Sequence, residues 1–185
     1  MNQEIPRITP KQTFALLNLI WAAFVLLVLV FAVVAWVGRP PRVDSIHYHI
    51  GAVILGILSI VILMFQGKLR GNLTDGKLFP RFLDLDSWGL NPRVTARVKE
   101  LPLPERGDHL MLQAHVVFRI LIWIAAVVVA AFGLILTFIT GYWRFTGLFC
   151  CVAIATLFHN YPSYPMFVQQ NERWRKYIEV KGAKK

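Results

Sequence analysis

Four stretches of the chain carry no Asp, Glu, Lys or Arg: between Lys11 and Arg39, between Asp44 and Lys68, between Arg119 and Arg144, and between Arg144 and Glu172. Each is about 20 residues or longer, enough to cross roughly 30 Å of hydrocarbon at about 1.5 Å per residue. The pattern predicts an all-α integral membrane protein, a four-transmembrane-helix bundle forming a single membrane domain over 1–185. The spans are expected at 13–37, 45–66, 109–140 (the membrane part from about 119) and 144–165.

Local signals set these boundaries. Gly38, Pro40 and Pro41 close the first span, which is too long for a signal-peptide core and has no small-residue cleavage site after it. Ser45 is a candidate N-cap for the second, and Gly67 marks its end. Asp108 can cap the third, which stops at Gly141. Pro162 and Pro165 end or kink the fourth, because each lacks a backbone donor. The segment 67–108 holds Pro80, Pro92, Pro102 and Pro104 with Gly71, Gly76, Gly89 and Gly107, a density that favours a loop. Its Leu78, Phe79, Phe82, Leu83, Leu85 and Trp88 suit a segment lying on the bilayer surface. The tail 167–185 is basic and reads as an amphipathic interfacial helix anchored by Trp174, Tyr177 and Ile178.

Composition sharpens this picture. The chain is 56% hydrophobic and 16% charged, which leaves too little polar chain to cover four apolar helices in water. Its net charge of +10 comes from basic residues flanking the spans, so it points to anionic phospholipid and not to nucleic acid. Sixteen Lys and Arg fall on the side of the termini and long loop, and three on the other side. That asymmetry predicts cytoplasmic N- and C-termini, a cytoplasmic loop between the second and third spans, and residence in a bacterial inner membrane. The sequon at Asn72, Leu73 and Thr74 would then face the cytoplasm and carry no glycan. Cys150 and Cys151 are adjacent and read as small packing residues.

Lipid offers little hydrophobic drive between helices, so small residues mark where helices meet. The expected packing positions are Ala52 and Gly56 in the second span, and Ala126, Ala130 and Gly133 in the third. In the fourth they are Gly147, Cys151 and Ala155. Followed toward the cytoplasmic end, the third stripe reaches Arg119 and His115, and the fourth reaches His159. Ionisable residues at membrane depth are candidate site residues. In a purely structural role Arg119 would reach the interface, and His159 would bond a carbonyl freed by Pro162. In a binding role, His115 and His159 could ligate haem b with Arg119 on a propionate, or the three could hold a quinone or lipid headgroup. His47 and His49, two residues apart, point apart on a helix and are not expected to share a metal.

Several chemistries are excluded. No span contains a carboxylate for a proton relay, and the phosphate-loop, zinc-protease and serine-hydrolase motifs do not occur. Residues 125–141 resemble a helix of the rotor-ring c subunit of ATP synthases, a family that requires a mid-helix carboxylate; this helix has none. The expected function is a non-catalytic accessory subunit of a larger membrane complex, without a cofactor, contacting other membrane subunits and anionic phospholipids. A b-type cytochrome or quinone-site subunit is the alternative. A small transporter or channel stands third, with almost no polar lining to serve it.

Overall fold

The computed structural model describes residues 9–41, 46–74, 96 and 98–182. All regular structure among them is helical: α1 (Pro10–Val37), α2 (Ile46–Thr74), α3 (Leu103–Thr140), α4 (Arg144–His159) and α5 (Tyr164–Gly182). Three helices are long and apolar enough to cross a membrane, or four if the bent α4–α5 pair forms one span. The chain is therefore an all-helical, membrane-embedded protein. Ser45 and the apolar loop residues Leu78, Phe79, Phe82, Leu83, Leu85 and Trp88 lie outside the described residues.

Most helix starts and stops differ from the sequence reading, for identifiable reasons. α1 begins at Pro10 and not at 13, because Thr9 and Gln12 form a capping box with Pro10 in the first turn. α2 runs through Gly67 to Thr74. A mid-helix glycine costs only about 1 kcal/mol, and beyond it Leu69 packs on the core. α3 begins at Leu103, ahead of Asp108, with Pro102 as N-cap and Pro104 in the first turn. Those prolines looked like loop formers, but the first turn has no intrahelical donor to lose. α3 ends as expected at Gly141, whose φ of 74° is the left-handed cap that glycine adopts most easily.

α3 is the organising element. Its 38 residues make a rod of about 57 Å, nearly twice the hydrocarbon thickness, so a large part of it must project beyond the hydrocarbon. Glu105, Arg106, Asp108 and His109 mark the projecting end. α3 contacts all four other helices, and α1 also contacts α4. Its apolar part buries Ile122, Trp123, Ala126, Val129, Ala130 and Leu136. At Gly133 a Cβ would come within 2.9 Å of Thr146 Cα and 2.7 Å of Phe149 Cβ, so α3 and α4 touch nearly backbone to backbone. The turn between them carries a polar lock. The Thr137 and Thr146 hydroxyls are 2.7 Å apart, and Thr146 also donates to the Gly133 carbonyl at 2.9 Å.

α4 meets its neighbours through Thr146, Phe149, Cys150, Ala153 and Leu157. Within the chain, the stripe of Gly147, Cys151 and Ala155 is not the contact face. Cys151 and Ala155 are exposed, and at Gly147 a Cβ would meet only the Trp143 ring. Residues one apart on a helix point about 100° apart, and α4 has small residues on both of those faces, so spacing could not choose between them. In α2, Ala52 packs beside Val129 and Leu136, whereas at Gly56 a Cβ would meet nothing within 4 Å. Close approach does not require glycine there.

α4 has only 16 residues, about 24 Å, and breaks at Asn160 before Pro162. α5 leaves at a 51° bend. It does not float as a separate interfacial helix. Phe167, Gln170 and Trp174 are buried, and Trp174 fills the space that a side chain at Gly107 would need. The expected lipid anchor Trp174 is thus a core residue, and Tyr177 and Ile178 pack beside the same core.

Candidate functional site

The polar residues inside this protein gather where α4 breaks. The break at Pro162 disturbs the backbone ladder, and two tryptophans repair it. Trp21 donates its indole N–H to the Leu157 carbonyl at 2.9 Å, and Trp123 donates to the Asn160 carbonyl at 3.2 Å. The Phe158 carbonyl, which would take the helical N–H that Pro162 lacks, accepts from the Tyr161 backbone N–H at 3.2 Å. Asn160 also caps its own helix, donating from Nδ2 to the Thr156 carbonyl at 2.9 Å, while its buried Oδ1 has no partner.

On α3 just before Trp123 lie Arg119 and His115, both buried as their stripe implies. His115 Nε2 bonds Gln170 Oε1 of α5, and its ring packs against Phe14 and Phe167 with centroids 6.0 and 5.5 Å away. Its Nδ1 has no partner. Arg119 is 5% exposed. Its Nη2 meets only the Met166 sulfur at 3.7 Å, a soft contact, and its Nε has no partner. Among the described residues Arg119 has no carboxylate partner. It does not extend to the surface, as a snorkelling residue would.

His159 stands apart from this pair. It is exposed and lines a groove of about 520 Å³ between α2 and α4 with Gln66, Arg70, Thr156 and Asn160. The structure therefore joins His115 to Arg119 on one face of α3 and sets His159 in different surroundings. Among the described residues, no cluster of three His, Cys, Asp or Glu could hold a metal ion. His47 and His49 fall within α2, and their side chains lie outside the described set.

Spacing alone had not singled out Gln66, Gln170, Asn160 or Arg70. Gln66 is 4% exposed and donates to the Ile122 carbonyl at 2.8 Å, pinning α2 to α3. A signal existed: Gln66 and Arg70 are four apart and so share a helix face.

Comparison with known proteins finds no matching family model, no matching curated protein and no matching solved structure.

Proposed function

We propose that this chain is a non-catalytic accessory subunit of a larger membrane assembly, a four-span bundle in a bacterial inner membrane with both ends cytoplasmic. One observation carries the reading. α4 uses Cys150, Ala153 and Leu157 for contacts within the chain, and turns the stripe of Cys151 and Ala155, begun by the half-buried Gly147, away from them. Small residues exposed toward lipid gain little there, but they allow the close backbone approach on which helix association in a bilayer depends. A second subunit crossing near Cys151 would use that surface. Gln66, Trp21 and Trp123 use their polar groups to hold helices together. The charge asymmetry of the loops supports the orientation.

The exposed Cys151 supplies the test. A thiol cross-linker at this position is expected to join the chain to a distinct membrane subunit in intact membranes. Gly147→Leu should abolish that product and the co-purification in mild detergent, while folding is kept. A chain that purifies alone with its own turnover, or with a haem Soret band, would overturn the reading. Reporter fusions after Pro41 and Lys185 test orientation: a cytoplasmic signal at Pro41 is the opposing result.

A further inference from the structure

We propose that the groove on α5 binds the headgroup of a phosphatidylethanolamine, with its phosphate on Arg119 and its ammonium on Glu172. The groove holds about 600 Å³ and is lined by Tyr164, Pro165, Met166, Val168, Gln169 and Glu172. Arg119 does not line it; Met166 stands between. The Met166 sulfur is 3.7 Å from Arg119 Nη2, while the same residue forms part of the groove wall. Arg119 is 5% exposed, its Nε has no partner, and no described carboxylate pairs with it. A guanidinium held in this way favours an anion, which it binds through charge-assisted N–H donors. Methionine is unbranched and flexible, so rotation of Met166 opens the guanidinium to the groove.

Depth points to a lipid as the source of that anion. Arg119 lies 21 residues before Thr140, the last residue of α3, a rise of about 32 Å. The hydrocarbon layer is about 30 Å thick, so with Thr140 at one boundary Arg119 lies at the other, at phosphate depth. Glu172 selects the headgroup. It is exposed, has no ion pair with a described residue, and stands about 9 Å of helix rise beyond Met166. Its negative charge repels a headgroup that is only anionic and draws one that also carries an ammonium. In phosphatidylethanolamine two carbons join phosphate and ammonium, and each reaches its partner through a charge-assisted hydrogen bond. The quaternary nitrogen of phosphatidylcholine has no N–H to donate to a carboxylate. The exposed Pro165 and Val168 give the acyl chains an apolar surface. The site shares no residue with the face proposed for a partner subunit and stands whether or not that partner exists.

The test uses the purified full chain, with native mass spectrometry and thermal unfolding in detergent. The supplements are dioleoyl phosphatidylethanolamine, dioleoyl phosphatidylglycerol, dioleoyl phosphatidylcholine or free phosphoethanolamine. Phosphatidylethanolamine should be retained and raise the unfolding temperature. The other two lipids should bind about tenfold more weakly, the scale of one charge-assisted hydrogen bond. Millimolar phosphoethanolamine, which has no acyl chains, should not displace the lipid. Glu172→Gln, at an exposed position, should weaken phosphatidylethanolamine binding about tenfold and remove its preference over phosphatidylglycerol. Met166→Ala clears the path to Arg119 and should raise retention, whereas Arg119→Gln should abolish it. Circular dichroism reports whether the Arg119 variant folds; if it does not, the Glu172 and Met166 variants decide. Equal retention of the three lipids, displacement by phosphoethanolamine, unchanged selectivity in Glu172→Gln, or retention unaltered in Met166→Ala or in a folded Arg119→Gln would overturn the proposal.

Discussion

Toward its C-terminal end α3 meets α4 through Gly133 and Thr137; toward its N-terminal end it meets α5 through Gly107, which faces the Trp174 indole, and His115. In both places a glycine on α3 allows close approach, of the α4 backbone at Gly133 and of the Trp174 indole at Gly107. The materials otherwise differ. The first contact is small and nearly all backbone, with a threonine pair as its polar lock. The second is built of aromatic rings, a histidine–glutamine bond and an exposed ion pair between Arg175 and Asp108. Hydrocarbon around the first contact and water around the second would account for the contrast. In hydrocarbon a large apolar side chain gains nothing by leaving lipid, so close fit does the work. Outside hydrocarbon, removing an indole from water is itself a driving force.

The sharpest way to break this comparison is at Trp174. Trp174→Ala should destabilise the α3–α5 contact by about 3–5 kcal/mol, as for other buried aromatic truncations. Protease digestion or hydrogen exchange should show α5 released while α3–α4 stays protected. Next comes Gly133→Leu, expected to cost about 1–3 kcal/mol by overpacking. Steric trapping or unfolding in mixed micelles would measure it, and α5 protection should stay unchanged. Gln66→Leu removes the bond to the Ile122 carbonyl and should cost about 1 kcal/mol, since hydrogen bonds within membranes are modest; cysteine cross-links between α2 and α3 would report the loosening. The smallest effect belongs to Arg175→Ala. The pair it breaks is surface-exposed, so a loss below about 1 kcal/mol that vanishes in high salt is expected. If Trp174→Ala and Gly133→Leu each loosened both contacts equally, the two ends of α3 would be a single cooperative unit.

Much of the helical layout was legible because hydrophobic run length is a one-dimensional property. The span cores around Phe24, Ile60 and Val129 could be read directly, and so could the break at Pro162. Helix ends were less legible where prolines and glycines have two uses: Pro102 and Pro104 open α3, and Gly67 sits inside α2. In the candidate site, the stripe through His115 and Arg119 could be read because the small residues of α3 share one face. Their partners Gln170 and Met166 could not, since they come from α5, beyond a 51° bend that no local pattern encodes.

What the sequence by itself determined is the class of molecule and the length of each apolar run, because transfer from water to lipid sums residue by residue along the chain. Which face of each helix turns inward belonged to the tertiary structure. Cys150 and Cys151 are nearly interchangeable by composition and spacing, yet one is buried beside Val28 and the other exposed. In a bilayer both faces of α4 are equally soluble. Only the fit of Gly133 against Thr146 and Phe149, a contact between two helices, decides the rotation.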